Sequence, residues 1–151
     1  MEKIFYSEAK ITDTPDLVNL LSVLFTIEKD FSPDLTKQKI GLALLIQSTN
    51  TATIQVAKNV AGQVVGMVTA QLVISTAQGA ASAWVEDMVI EAKYRGQGIG
   101  KQLLENIQKW AKSHGASRLQ LLVDIENTDA VGYYNHLHWQ ATQLQARRIF
   151  I

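Results

Sequence analysis

The stretch Tyr94-Arg95-Gly96-Gln97-Gly98-Ile99-Gly100-Lys101 constrains this chain more than any other. Three glycines fall within five positions and are flanked by cations. An apolar, strand-like run from Trp84 to Ile90 precedes them, and apolar residues recur at helical spacing from Ile99 to His114. Strand, glycine turn and helix start together let a backbone approach a phosphate. Glycine supplies positive φ and removes side chains that would block the approach, while the N–H groups of a helix's first turn have no intrahelical acceptor. The spacing excludes two nucleotide cradles. A P-loop would need glycine at Arg95 and Ser or Thr at Gln102, and Gly96, Gly98 and Gly100 fall one residue short of G-x-G-x-x-G.

With 151 residues, 47% of them hydrophobic, the chain suits one globular domain spanning 1–151. Its 14 basic and 14 acidic residues cancel, so no global field favours nucleic acid or an anionic membrane. No apolar run approaches the ~18 residues of a membrane-spanning helix. Nor does the MEKIFYSEAK start resemble a signal peptide, so a cytoplasmic protein is the expectation. Cysteine is absent, which excludes disulfides, a thiolate nucleophile and Cys-based metal sites. His136 and His138 stand two apart rather than at the i, i+4 spacing of a helical metal pair, so no metal is expected.

Charge is nevertheless uneven. Lys93, Arg95, Lys101, Lys109, Lys112 and Arg118 face a single acid, Glu105, around the glycine turn, which suits a polyphosphate. The first 36 residues lean acidic, and within them Glu28, Asp30 and Asp34 could receive a cationic amine.

Periodicity and punctuation predict an edge strand over Ile4–Ile11, then a helix from Thr12-Asp13-Thr14-Pro15-Asp16 to about Glu28. A second helix is expected over Leu35–Ser48, burying Ile40, Ala43, Leu44 and Ile46. Strands follow over Thr53–Lys58, Gln63–Thr76 and Ala83–Ile90. The helix after the glycine turn presents Ile99, Leu103, Leu104, Ile107, Trp110 and Ala111 on one face and stops at Gly115. A strand over Arg118–Asp124 and a short helix over Thr128–Leu137, capped by Asn127, come next. One or two closing strands are expected over Gln140–Ile151, turning at Ala146-Arg147.

Arg95-x-x-Gly98-x-Gly100 after a strand resembles the pyrophosphate-binding motif of the GNAT superfamily of acyl-CoA-dependent N-acetyltransferases. The element order β-α-α-β-β-β-α-β-α-β-β resembles that family along nearly the whole chain. The resemblance is specific from about Trp84 to Trp139. It implies an α/β fold, with a mixed, mostly antiparallel central sheet flanked by helices, and acetyl-CoA as cosubstrate. It also implies transfer of the acetyl group to a primary amine by direct attack in a ternary complex; without cysteine, an acetyl-cysteine route is excluded. A homodimer is a family-level expectation.

Site residues follow from the same resemblance. Arg95, Gly96, Gln97, Gly98, Ile99, Gly100 and Lys101 would hold the pyrophosphate. Met88, Val89 and Ile90 would pair with the pantetheine arm, one of their N–H groups facing the acetyl oxygen. Many family members carry a glutamate general base at the position of Glu86, and Asp87 would contact substrate; the Glu-Asp pair is reminiscent of amino-sugar-phosphate N-acetyltransferases. Asn127-x-x-Ala130-x-x-Tyr133-Tyr134 is similar to the segment whose Asn contacts the cofactor arm and whose second aromatic protonates the leaving thiolate. A phenol with pKa ~10 is a competent donor to a thiolate of pKa ~8.5. The family often has Gly-Phe where this chain has His138-Trp139, so the helix end there is expected to differ. Two other readings share the fold: a protein or peptide amino-group acetyltransferase, and a CoA-binding sensor or interaction module without catalysis.

Overall fold

The structure is a computed structural model describing residues 1–151. The chain divides into two compact units, Met1–Gln120 and Leu121–Ile151.

The first unit is built on a five-stranded sheet in the order β1-β2-β3-β4-β5. Its strands are β1 (Phe5–Glu8), β2 (Ala52–Lys58), β3 (Val64–Ser75), β4 (Ala80–Ile90) and β5 (Ala116–Leu121). The first three pairings are antiparallel, with Val56 opposite Met67 and Met67 opposite Val89. Between β4 and β5 runs helix α3 (Ile99–Ser113), a connection long enough for the crossover that parallel neighbours require. The starts of the two strands lie together: Arg118 Nε donates to Ser82 Oγ at 3.1 Å, and Ser117 Oγ to Gln78 Oε1 at 3.0 Å. The sheet is therefore mixed.

Helices cover both faces. On one, α1 (Thr14–Ile27) and α2 (Leu35–Gln47) bring Leu17, Leu20, Leu21 and Leu42 onto Ile54, Val56, Met67 and Val89. Asp34 caps α2 by accepting the Lys37 N–H at 3.0 Å. The other face carries α3, whose buried residues are the six that its periodicity singled out. Gly66 sets how closely α3 sits. A Cβ there would come within 2.7 Å of Ile90 Cδ1 and 3.4 Å of both Ile99 Cγ2 and Leu103 Cδ1.

Several expectations are corrected. In α2 the buried residues are Gln38 and Leu42, whereas Ile40 and Leu44 are exposed. That helix is apolar on more than one side, so spacing alone could not choose its inner face. Gln38 decides it: its Nε2 donates to Val18 O and Ser22 Oγ, both at 3.0 Å. Strand β4 starts at Ala80, so part of the small-residue loop belongs to the sheet. Residues 140–151 hold no strand, and no turn forms at Ala146-Arg147.

In the second unit, α4 (Thr128–His136) is closed at both ends. Asn127 Oδ1 accepts the Ala130 N–H at 3.1 Å. At the C-terminus, Trp139 N donates to Tyr134 O and His138 N to Asn135 O, both at 3.0 Å. These are the paired bonds of a Schellman stop, and His138 at φ 67° occupies the left-handed position that glycine usually fills. Departure from glycine therefore leaves the helix stop intact. Tyr134 and Trp139 rings, 5.7 Å apart, add the apolar contact that accompanies such a stop.

Candidate active site

The glycine turn begins from an anchored residue. Tyr94 is buried; its hydroxyl donates to Glu2 Oε2 at 3.0 Å and accepts from Asn59 Nδ2 at 3.3 Å. Arg95 then turns back on the strand end, donating from Nε to Ile90 O at 2.9 Å. Four further N–H donors remain on its guanidinium. Gly96 and Gly98 take φ 75° and 80°, a region that costs side-chain-bearing residues ~1–2 kcal/mol. A Cβ at either would meet no protein atom within 4 Å, so it is the backbone conformation, not protein crowding, that calls for glycine. Gly98 is the N-cap of α3 and offers no capping side chain. The first turn contains no acid, and Lys101 is exposed within it. A cation there opposes the positive end of the helix dipole. The N–H groups of this first turn, with Arg95 and Lys101 on either side in sequence, could receive a pyrophosphate, and Gly100 continues the helix without adding a side chain.

Strand β4 supplies the acids through an irregularity in its pairing with β3. Met67 pairs with Val89 and Thr69 with Glu86, so Asp87 and Met88 together oppose Val68. This is a β-bulge, and Asp87 lies at φ 53° within it. Regular alternation would send neighbouring carboxylates to opposite faces. Here Glu86, opposite Thr69, shares the face of Thr69, and the Asp87 carboxyl also reaches the Thr69 hydroxyl. That hydroxyl also lies 3.1 Å from Glu86 O, so its one proton serves either the carbonyl or the Asp87 carboxylate.

The two carboxyls differ in environment. Glu86 is exposed, and its Oε1 accepts the Trp84 indole N–H at 2.6 Å. Asp87 is largely buried; burial foremost, then the charges of Glu86 and Glu28, push its pKa up to about 7 against the restraint of Thr69. Glu28, the C-cap of α1, is thus brought to the carboxylate pair. Asp30 is exposed and is not among the charges that shift Asp87, and Asp34 is engaged as a cap. Met88 completes the bulge, and Val89 and Ile90 follow it at the end of β4, before the glycine loop.

Sequence reasoning did not single out Thr69 or Trp84 as supports. Trp84 stands two residues from Glu86 and therefore on its face, which strand periodicity could have revealed. Thr69 becomes visible only with the register.

In the second unit, Tyr133 and Tyr134 rings meet edge to face at 5.5 Å, and burial pushes the Tyr133 phenol up. Asn127 uses Oδ1 as the α4 cap, while its amide retains two N–H donors. No group of three His, Cys, Asp or Glu side chains is placed to hold a metal ion. No helix is long and apolar enough to cross a membrane.

A mixed sheet with helices on both faces, a bulged strand and a glycine turn flanked by cations define an α/β protein with an uncapped helix N-terminus after its fourth strand. The chain belongs to the acetyltransferase (GNAT) family, whose model matches residues 15–139. A curated relative, the uncharacterized N-acetyltransferase YobR of Bacillus subtilis (strain 168), is 36% identical over 53 residues. That match spans 35% of this chain and only 22% of the relative. Among solved structures, a possible acetyltransferase from Clostridium difficile 630 superposes with a TM-score of 0.85 at 18% identity, covering 99% of each chain. An aminoglycoside N-acetyltransferase, AAC(6')-Iy, solved in complex with CoA, gives a TM-score of 0.80 at 16% identity over 100% of this chain and 95% of that one. These superpositions establish a shared fold, and at such low identities the fold alone.

Proposed function

We propose that this protein transfers an acetyl group from acetyl-CoA to the primary amine of a small molecule, by direct attack in a ternary complex. The observation that carries the reading is the α3 N-terminus: uncapped, opened by two left-handed glycines and flanked by Arg95 and Lys101. Family membership supports acetyl-CoA as the bearer of the phosphates. Gly96 to Lys101 would hold the pyrophosphate, and the N–H groups of Met88, Val89 and Ile90 the pantetheine arm and acetyl oxygen.

An amine of pKa ~10 enters as an ammonium and must lose a proton before it attacks. The carboxyls of the β4 bulge suit both its attraction and its deprotonation. Tyr134 is assigned protonation of the departing thiolate, and Asn127 contact with the cofactor arm, on the segment match of Asn127 to Tyr134. A cytoplasmic location accords with this use of acetyl-CoA.

Acetyl-CoA should raise the melting temperature while ATP and NAD leave it unchanged, and the reverse pattern would overturn the assignment. Thiol release should then be followed across diamines, amino sugars, aminoglycosides and lysine peptides. Turnover confined to peptides would replace the small-molecule acceptor with a protein. Binding of acetyl-CoA without turnover on any amine would mark a non-catalytic CoA-binding module.

A further inference from the structure

The resemblance to the family points to Glu86 as the general base; the bulge points one residue further on. Resting on the acetyltransferase reading above, we propose that Asp87 takes the proton from the acceptor amine, and that Glu86, pinned by the Trp84 indole, is a held anion that positions the ammonium.

Three features of the geometry carry this assignment. The bulge turns Asp87 out of strand alternation and onto the face of Thr69 and Glu86. It holds Asp87 at φ 53°, a conformation that non-glycine residues rarely take and that clusters at functional sites. Around the Asp87 carboxyl stand Glu86 from its own strand, Glu28 from the end of α1 and the Thr69 hydroxyl from β3. Glu86, by contrast, is exposed, and one of its oxygens is occupied by the indole N–H at 2.6 Å.

The chemistry favours the same division. An ordinary carboxyl of pKa ~4 is about a millionfold poorer a proton acceptor than an amine of pKa ~10. Asp87, raised to about 7 by burial and its two anionic neighbours, is short by only about a thousandfold. It is also largely ionised just above neutrality, so it is ready to accept. In the step itself, the ammonium gives one proton to Asp87, which passes it to solvent. The amine nitrogen then bonds to the thioester carbon and the C–S bond breaks. The nitrogen sheds its second proton as the thiolate gains one, so amide, thiol and one released proton balance the ammonium and thioester consumed.

The experiment compares kcat/KM against pH for the wild type, Asp87→Asn, Glu86→Gln and Thr69→Val, with acetyl-CoA saturating. The acceptor probe is whichever of 1,4-diaminobutane, glucosamine and a lysine peptide gives the fastest thiol release. Acetyl-CoA affinity is measured alongside by calorimetry, and the carboxyl titration by NMR of 13C-labelled aspartate. Asparagine tolerates positive φ, so Asp87→Asn is expected to fold. It should lose ~100-fold or more in kcat/KM, in the range of a removed general base, with acetyl-CoA affinity unchanged within twofold. The pH limb near 7 and the matching aspartate resonance should vanish together. Glu86→Gln should keep the limb but move it to lower pH, because a neighbouring anion is gone, and should act mainly on KM. Thr69→Val should move the limb upward. A limb that survives in Asp87→Asn and disappears in Glu86→Gln overturns the assignment while leaving the acetyltransferase reading intact. A wild type that binds acetyl-CoA yet releases no thiol with any probe overturns both.

Discussion

Helices α3 and α4 begin in opposite ways. At α4, Asn127 accepts the Ala130 N–H, Asp129 puts an acid in the first turn, and a complete Schellman stop closes the far end. Its backbone groups are answered by its own sequence. At α3, Gly98 provides no cap, the first turn lacks an acid, and Lys101 puts a cation at the wrong pole of the dipole. Yet α3 has the more strongly sided apolar face, with six buried residues against none in α4. Packing can therefore hold a helix whose N-terminus is left unanswered. An end that a well-packed helix leaves open, with Arg95 and Lys101 on either side of it in sequence, is the end to which the proposed function assigns an anion.

Substitutions at the two helix ends test that contrast. The largest effect is expected at Gly98→Val, where a β-branched residue at φ 80° carries roughly 2 kcal/mol of strain. Acetyl-CoA affinity should fall by ~30-fold, the same energy read as binding. An unchanged affinity by calorimetry would remove the turn from the cofactor site. Lys101→Glu should separate stability from function by sign. The ligand-free protein should gain about 0.5 kcal/mol from a favourable dipole contact, while acetyl-CoA binding weakens roughly tenfold. Paired denaturation and binding curves moving in the same direction would contradict an anion site.

At α4, Asn127→Ala should cost about 1 kcal/mol and Asn127→Ser almost nothing, if the side chain is a cap. If Asn127 also holds the cofactor arm, both variants should lose acetyl-CoA affinity, including the one that keeps the cap. His138→Gly should be the smallest change, a gain of about 0.5–1 kcal/mol, since glycine takes the left-handed position without the Cβ penalty. A loss of stability in urea melts would show that the imidazole makes a contact outweighing its backbone strain.

How much was legible in the sequence tracks how one-sided each segment is. The face of α3 could be read residue by residue because polar and apolar positions separate cleanly along it. The face of α2 could not, since Ile40-Gly41-Leu42-Ala43-Leu44-Leu45-Ile46 is apolar whichever way it turns. The glycine turn was legible because its φ angles demand a residue type. The bulge was not, because it arises from the register between β3 and β4 and leaves no mark on composition. Two adjacent acids in an apolar strand hinted at a special site, and only the folded structure, with the Asp87 carboxyl at the Thr69 hydroxyl, brings both to one side. Residues 140–151 carry strand-forming side chains, but Leu144, Ile149, Phe150 and Ile151 are all more than 80% exposed. Propensity alone builds no strand where no partner is hydrogen-bonded to it.

The bulge also gives the molecule a thermodynamic tilt. Asp87 holds its proton up to about pH 7 in the native state, against ~3.9 in an unfolded chain. Across that window the native state binds more protons than the unfolded one, so stability falls as pH rises from ~4 to 7, and the cost is fully present above 7. Three units correspond to ~4 kcal/mol as a ceiling, reduced wherever water still screens the carboxyl. The protein would thus be sturdiest where Asp87 is protonated and active where it is not. Working pH would trade fold stability for a base strong enough to matter.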